Sequence, residues 1–223
     1  LAEGIAGSEE AFARQMTERA QELGLSTVNF VNTTGLEGDG HVISAADLAR
    51  LAKLIIDDYP QYYQWYSQDS YTWGEYTQAN RNPLLGTMDG ADGLKTGHLD
   101  EAGYGLTASA VRDGTRRTIV INGLPSKQAR AQEAERLMRM AFSAFETRES
   151  SARDARVAEL DVWKGGARNV GVRLGESASV TAHKRAFVRG SSEIVHDRLI
   201  EAPIEAGDQI ATLIVTIEGK DPI

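Results

Sequence analysis

Three consecutive residues, Lys95, Thr96 and Gly97, offer groups that could bind and transform an anionic ligand. The lysine amine supplies a positive charge that can assist proton transfer and hold an anionic group. The threonine hydroxyl can hydrogen-bond a carboxylate, and the glycine lets a bound backbone approach closely. A given tripeptide occurs by chance in a chain of this length on the order of a few per cent of the time, so its surroundings decide its meaning.

The surroundings of this tripeptide carry further motifs. In chain order they are N-T-T-G-L at 32–36, S-A-A-D-L-A at 44–49, N-R-N-P-L-L at 80–85, D-G-L-K-T-G-H at 92–98, A-G-Y-G-L-T-A-S-A at 102–110, and the helix residues Arg130, Glu133, Leu137 and Phe142. This series resembles the serine-type D-alanyl-D-alanine carboxypeptidases, low-molecular-mass penicillin-binding proteins of the peptidase S11 type, in which Lys-Thr-Gly accompanies S-x-x-K and S-x-N. Segments 162–166 and 202–208 resemble the β-rich C-terminal domain of that family, so the resemblance covers essentially the whole chain.

The resemblance implies a role for each residue of the motif. Lys-Thr-Gly would lie on an edge strand beside the active site, where a peptide substrate pairs with it like an added strand. Lys95 would be catalytic, next to the nucleophile. Thr96, Gly97 and Arg130 would bind substrate together with Lys95, the arginine holding the terminal carboxylate. His98 would be catalytic through its backbone N–H, as half of an oxyanion hole, and its side chain is not expected to be a general base.

The implied reaction is acyl transfer. A serine attacks the peptide bond between the two terminal D-alanines of a peptidoglycan stem peptide, the last D-alanine leaves, and water hydrolyses the acyl-enzyme. β-Lactams would acylate the same serine, and no metal or organic cofactor is implied. Two alternatives stay open: an endopeptidase or β-lactamase on the same fold, and a non-catalytic relative that binds peptidoglycan.

The sequence departs from the family pattern in two respects. No serine is followed by lysine three positions later or by asparagine two positions later, so neither S-x-x-K nor S-x-N is present. We therefore expect this chain to be a fragment whose companion is the N-terminal fragment of the same protein, carrying both motifs. Family members commonly continue into an amphipathic helix that anchors them to the outer face of the cytoplasmic membrane. None follows here, so we expect an exported, periplasmic protein in soluble form.

The composition excludes several other classes of function. The 223 residues carry a formal net charge of −8, and acidic residues outnumber basic ones both before residue 149 and from it onward, so nucleic acid binding has no electrostatic basis. There are no cysteines, which excludes disulfides and thiolate metal sites. The four histidines form neither an H-x-x-x-H nor an H-E-x-x-H pair, so we expect no zinc site.

The residue patterns predict an α+β domain over residues 1–148, with helices flanking an antiparallel sheet. One helix is predicted to begin after Ser44, with Asp47 at capping-box spacing. Three strands are predicted at 93–98, 104–111 and 118–121. Asp113–Gly114 is expected to form the tight turn between the last two. A long helix should follow, since apolar residues recur at helical spacing as far as Phe145.

Residues 149–223 are predicted to form a small all-β sandwich. Short β-rich segments separated by glycines support this, at 156–162, 169–174, 178–183, 194–200 and 209–218. The charged, serine-containing stretch 150–154 is interpreted as the linker between the two domains.

Two features near the motif have more than one interpretation. Arg81 either supports the cleft beside Lys95 or forms a surface salt bridge. A group of aromatic side chains precedes it: Tyr62, Tyr63, Trp65, Tyr66, Tyr71, Trp73 and Tyr76. We interpret this group as a packed flap over the cleft, and the alternative is a platform that binds sugars.

Overall fold

The structure, a computed structural model, describes residues 1–151, 153–197 and 199–218. The chain divides into two compact units, the first ending at Ala141 and the second beginning at Phe142. The elements of the first unit are α1 (Ala2–Ala6), α2 (Glu9–Glu22), α3 (Ala45–Asp58), α4 (Pro60–Tyr63), β1 (Ser70–Trp73), β2 (Tyr76–Ala79), β3 (Ala91–Leu99), β4 (Gly103–Arg112), β5 (Thr115–Leu124) and α5 (Lys127–Ser143). This mixture of helices with an antiparallel sheet is the predicted fold class.

The main sheet of the first unit contains three antiparallel strands in the order β3–β4–β5. The predicted tight turn at Asp113–Gly114 joins β4 to β5, and both residues have positive φ (48° and 72°), as a two-residue hairpin turn requires. Strand β4 lies in the middle, and its residues 105–110 are buried on both faces. Within the described sheet, β3 pairs only with β4 and is an edge strand.

The start of α3 is tied to the loop that follows α2. The Ser44 hydroxyl accepts a hydrogen bond from the Asp47 N–H at 3.1 Å, which confirms the N-cap. Only this half of the predicted capping box is formed, because the Asp47 carboxylate bonds to Thr27 and not back to Ser44. It accepts hydrogen bonds from the Thr27 hydroxyl at 2.6 Å and the Thr27 N–H at 2.7 Å. These bonds hold the pKa of the Asp47 carboxyl below its usual value and fasten the loop to the helix.

The helices pack through small buried faces. Ala52 of α3, Tyr63 of α4 and Leu94 of β3 form one buried cluster, which joins α3 to the strand that carries the motif. A second cluster joins α2 to α3 and consists of Ala20, Leu25 and Val28, with Phe30, Ile43 and Leu51 against it. The edge strand is therefore supported from behind by apolar packing, which leaves its outer side for other contacts.

From Phe145 onward, the described residues of the second unit are all β, apart from a 3₁₀ turn at Ala186–Arg189. Its strands are β6 (Phe145–Ser151), β7 (Arg156–Trp163), β8 (Asn169–Arg173), β9 (Ala178–His183), β10 (Ser191–His196), β11 (Ile200–Glu201) and β12 (Ala211–Thr216). They form the antiparallel pairs β6–β9 and β10–β12 and a three-stranded sheet in the order β11–β7–β8. Val180, Ala182 and Ile217 form its buried cluster, so residues of β9 and the chain after β12 share one core.

The boundary region differs from the prediction. Helix α5 ends at Ser143, and Phe145, predicted to continue it, begins strand β6. Pairing with β9 overrides the helical spacing here, and the Phe145 ring meets the His183 ring edge-on at 5.5 Å. Because β6 runs to Ser151, the first part of the predicted linker is strand. The predicted strand 194–200 is also divided, since β10 ends at His196 and β11 starts at Ile200.

Candidate active site

The Lys-Thr-Gly motif lies in the second half of the edge strand β3. Its three residues pair with residues 105–107 of β4. Lys95 is exposed and Thr96 is buried, and both residues line the same cleft. A Cβ atom added to Gly97 would meet nothing within 4 Å. The strand is therefore open at Gly97, where a ligand backbone could approach it.

Three cationic side chains, those of Arg81, Lys95 and Arg130, converge on this strand. Arg81 and Lys95 line one cleft. The Arg130 guanidinium donates hydrogen bonds of 3.4 Å to the carbonyl oxygens of Gly97 and Arg81. None of the ion pairs among the described residues includes any of the three cations. The described residues thus give no support to the surface salt bridge considered for Arg81, and among them no carboxylate pairs with this positive charge.

This concentration of charge changes the pKa of its members. Partial burial, followed by the charges of Arg81 and Arg130, lowers the pKa of Lys95 from its ordinary value of 10.5. Burial, followed by the charge of Arg81, also lowers the pKa of Arg130, although a guanidinium stays protonated in proteins. An anion bound among these groups would be stabilised by their charge, and a carboxylate matches the two parallel donors of a guanidinium.

Arg130 is held in place by packing and by backbone carbonyls. Its side chain is buried on α5, with 6% of the residue exposed, and its guanidinium carbon lies 5.7 Å from the centre of the Tyr104 ring. The centre of the His98 ring lies 3.9 Å from the centre of the Tyr104 ring. The side chain of His98 is therefore used in packing. The oxyanion role of its backbone N–H stays a prediction.

The segment 80–82 positions Arg81. The Asn82 amide, which is buried, donates to the Gly93 carbonyl of β3 at 2.7 Å, and its own oxygen accepts from the Leu84 N–H at 3.1 Å. The Asn80 amide donates to the Tyr66 and Gln68 carbonyls at 3.2 and 2.9 Å. Arg81 is thus fixed between two anchored asparagines. This explains why the N-x-N spacing accompanies an arginine at the cleft.

A cleft of about 230 Å³ lies along β3 on the side of Lys95. Its lining residues come from the aromatic segment, the segment around Arg81 and the strand: Trp65, Tyr66, Gln68, Ser70, Tyr71, Gln78, Ala79, Asn80, Arg81, Leu94, Lys95 and Thr96. The aromatic group is only in part the packed flap that we predicted, because Tyr63 is buried and Tyr66 packs against it, whereas other members are exposed. Trp73 and Tyr76 are 75% and 83% exposed, and Trp65 and Tyr71 are about 60% exposed, at 59% and 61%.

A hydrogen-bonded cluster behind β3 fixes the start of the strand. The Tyr63 hydroxyl donates to Asp92 Oδ1 at 2.7 Å. Arg116 of β5 donates to the same oxygen at 2.9 Å and to the Ser109 hydroxyl of β4 at 2.6 Å. Burial, assisted by Asp92, raises the pKa of Tyr63, which therefore stays a neutral donor. The sequence predicts no role for Arg116, because its neighbours in the sequence give no sign of contacts with residues as distant in the chain as Asp92.

The described residues contain no activated nucleophile at this cleft. Ser70 is the serine that lines it, and Ser70 makes no hydrogen bond to a basic side chain in the described part of the chain. The residue three positions after it is Trp73, so it is not the serine of an S-x-x-K motif. Over the same residues no group of three or more His, Asp or Glu side chains is placed to hold a metal ion. The site described here can bind and polarise a ligand.

Two family models match the chain. Residues 1–125 match the D-alanyl-D-alanine carboxypeptidase family of S11 peptidases, and residues 145–223 match the C-terminal domain of penicillin-binding protein 5. The D-alanyl-D-alanine carboxypeptidase DacA of Haemophilus influenzae is 33% identical over an alignment of 225 positions, which covers 99% of this chain and 57% of the relative. DacF of Bacillus subtilis is 34% identical over 99% of this chain and 58% of the relative. The chain thus spans a little over half the length of these relatives.

Solved structures agree with the sequence matches. Penicillin-binding protein 5 from Haemophilus influenzae superimposes with a TM-score of 0.83 at 31% identity, over 99% of this chain and 65% of that one. Penicillin-binding protein D2 from Listeria monocytogenes, solved in an ampicillin-bound form, gives a TM-score of 0.59 at 32% identity, over 64% of this chain and 59% of that one. None of the described helices is both long and apolar enough to cross a membrane.

Proposed function

The chain belongs to the D-alanyl-D-alanine carboxypeptidase family, and on that premise we propose that it forms the substrate-binding side of an enzyme that removes the terminal D-alanine from peptidoglycan stem peptides. The relatives with this activity are hydrolases of nearly twice the length of the matched region. The activity of the whole protein is therefore inferred here from the family and from the chemistry of the cleft.

One observation carries the proposal: three cations that have no carboxylate partner among the described residues lie beside an open edge strand. A stem peptide ends in a carboxylate, and its extended backbone can add to a strand edge. Arg130, Arg81 and the Thr96 hydroxyl offer donors for that carboxylate, while β3 offers backbone groups for the peptide. A neutral or cationic ligand would gain nothing from this charge, so the site favours a substrate that ends in an acid.

The chemistry follows from acyl transfer. A serine oxygen attacks the carbonyl carbon of the penultimate D-alanine and gives up its proton, and the terminal D-alanine leaves as an amine that takes a proton. Water then hydrolyses the ester. Lys95 assists these proton transfers through its lowered pKa, and the His98 N–H stabilises the oxyanion with a second donor from outside this chain.

The serine and its lysine partner belong, in this proposal, to an N-terminal segment of the same protein, because the 223 residues contain no S-x-x-K or S-x-N. β-Lactams would acylate that serine, as the ampicillin-bound relative from Listeria suggests. Since peptidoglycan is assembled outside the cytoplasmic membrane, the enzyme would act there. No cofactor takes part in the proposed reaction.

The carboxylate site is tested with Arg130→Ala in the complete enzyme. We expect D-alanine release from a free-acid stem peptide to fall about 100-fold, because a charged hydrogen-bonding pair is lost, and release from the C-terminal amide of the same peptide to change little. Arg136→Ala is the matched control on the same helix. Arg136 is exposed and pairs with Glu133 at 2.7 Å, so its loss should affect neither substrate.

The comparison between the two peptides separates binding from folding. An equal loss on the acid and the amide would mean that Arg130 only supports the fold, and the carboxylate site would be abandoned. Absence of D-alanine release by the wild-type enzyme, with peptidoglycan still bound, would instead favour the non-catalytic relative.

A further inference from the structure

A group of exposed aromatic side chains lies between residues 59 and 76. It consists of Tyr59, Tyr62, Trp65, Tyr71, Trp73 and Tyr76, each between 49% and 83% exposed, and we call it the aromatic platform. Large aromatic side chains usually bury most of their surface, since burial of that area is favourable. A contiguous exposed set of them marks an interaction site.

The first half of the platform follows one side of α4 and the 3₁₀ turn at Gln64–Ser67. Tyr59, Tyr62 and Trp65 are spaced by three residues, which brings their side chains to one face. The Tyr59 and Tyr62 ring centres are 6.5 Å apart with planes at 25°, and those of Tyr62 and Trp65 are 5.2 Å apart at 51°. The three rings form a continuous strip.

The second half of the platform occupies one face of the β1–β2 hairpin. Tyr71 and Trp73 alternate along β1 and therefore share a face, and Tyr76 lies directly opposite Trp73 on β2. The intervening residue Thr72 points to the other face, where its hydroxyl meets that of Thr77 at 2.9 Å. A two-stranded hairpin has few contacts of its own that could bury three exposed aromatic rings.

The platform is continuous with the candidate active site. Trp65 and Tyr71 line the same cleft as Lys95 and Thr96, while Trp73 and Tyr76 lie beyond it at the end of the hairpin. A ligand that occupies the cleft and extends away from β3 toward the hairpin would reach the platform. A long ligand bound in the cleft would therefore lie next to these rings.

The composition of residues 59–79 indicates what kind of molecule this is. The segment contains no Leu, Ile, Val, Met or Phe, and its other side chains are mostly the amides and hydroxyls of Gln, Ser and Thr. Protein interfaces usually combine aromatic side chains with Met and Arg, and residues 54–80 contain neither of these two. Proteins bind an anionic membrane surface through Lys and Arg side chains. Residues 54–80 contain neither, so a membrane surface is not the ligand that this segment fits. Tyr and Trp rings beside uncharged hydrogen-bonding groups fit a saccharide.

We propose that the aromatic platform binds the glycan strand of peptidoglycan, a polymer of N-acetylated amino sugars, while a stem peptide of the same strand occupies the cleft. The C–H groups on the face of a pyranose ring carry partial positive charge and pack on the electron-rich face of Tyr and Trp. The amides and hydroxyls between the rings satisfy the sugar hydroxyls and acetamides. This inference rests on the proposed function, because it takes the cleft ligand to be a stem peptide.

The binding test uses a sugar without any peptide. The complete protein is titrated with the tetramer of N-acetylglucosamine, and binding is followed by tryptophan fluorescence and by NMR. We expect the Trp73→Ala, Tyr76→Ala double variant to bind about tenfold more weakly, the effect of losing two stacking contacts. Trp163→Ala is the matched control. Trp163 is 46% exposed in the second unit, where Lys164 lies over its ring at 3.8 Å, so its loss should leave affinity unchanged.

The activity test compares one stem peptide in two forms, free and attached to a glycan chain. The double variant should lose about tenfold in kcat/KM on the glycan-attached form and keep its rate on the free peptide. Failure of the wild-type protein to bind the tetramer, or an equal loss on both forms, would overturn the platform. In either case, D-alanine release from the free peptide by the wild-type enzyme would leave the proposed function standing.

Discussion

The surroundings of Lys95 destabilise the charged form of its amine. Partial burial and the neighbouring charges of Arg81 and Arg130 favour the neutral amine, so its pKa lies below the ordinary 10.5 of a lysine. A lowered pKa makes the ammonium group of Lys95 a better proton donor than that of an ordinary lysine. The arginines that we propose as carboxylate ligands therefore also lower the pKa of Lys95.

This coupling predicts a pH dependence. We expect kcat/KM for a stem peptide to fall as pH rises through the lowered pKa of Lys95, because the attraction for the carboxylate and the proton are lost together. Arg81→Gln removes one opposing positive charge, so the pKa of Lys95 rises and the alkaline limb of the profile moves to higher pH, whatever happens to the maximal rate. Arg81→Lys retains the charge and should leave the limb in place. Identical limbs in the two variants would show that Arg81 does not act on Lys95.

At the scale of elements, strand β3 is fixed at its start by close packing against Tyr63. A Cβ atom on Gly93 would lie 2.6 Å from the Tyr63 hydroxyl oxygen, while one on Gly97 would meet no atom within 4 Å. The first glycine is required by the fold, because the phenol reaches past it to Asp92. The second leaves space for a ligand.

The two glycines make a matched pair of tests. We expect Gly93→Ala to lower the free energy of unfolding by about 1–3 kcal/mol, the usual cost of forcing an extra methyl group into a packed site. Gly97→Ala should change it by less than about 0.5 kcal/mol. Denaturant unfolding measures both. Adding Tyr63→Phe should restore part of the loss in Gly93→Ala, since the clashing oxygen is removed. If the two single variants are equally stable, the packing described at Gly93 is wrong.

Local patterns predicted the elements that depend on neighbouring residues. The turn at Asp113–Gly114 and the cap at Ser44 were of this kind, and both follow from the backbone preferences of short segments. The bond between Tyr63 and Asp92 joins residues 29 positions apart, and such contacts leave no periodic signal. Phe145 shows the converse error, since its helical spacing was real but strand pairing with β9 prevailed. The exposure of the aromatic platform could not be predicted from the sequence either. The residue types Tyr and Trp do not show whether other side chains pack over them in the fold.

At the scale of the whole molecule, the proposed mechanism places the binding groups and the nucleophile in different parts of the protein. The first unit contributes the strand, the cations and the cleft, and the second contributes an all-β module that matches its own family model. In this proposal, residues of this chain bind the acyl group, and a serine outside the chain is acylated. β-Lactams would likewise be bound by this chain and would acylate that serine.

Labelling with a fluorescent penicillin tests this division. In the complete protein we expect a single label, carried by a serine of an S-x-x-K motif outside these 223 residues, because none of their serines has the required lysine partner. Peptide mapping by mass spectrometry after labelling locates the site. Arg130→Ala should slow the labelling and leave its position unchanged. A stable adduct on any serine of this chain would overturn the account of the nucleophile.

The open edge of β3 has a consequence for the solubility of the protein. An unpaired strand edge can join the edge of a second copy, and soluble proteins oppose this with a charged side chain, most often a lysine, on the exposed strand. Lys95 is the charged residue exposed in the middle of this edge. A variant that removes its charge would therefore lose a barrier to edge-to-edge self-association as well as activity, and loss of turnover in such a variant should be judged only after its sedimentation has shown a monodisperse protein.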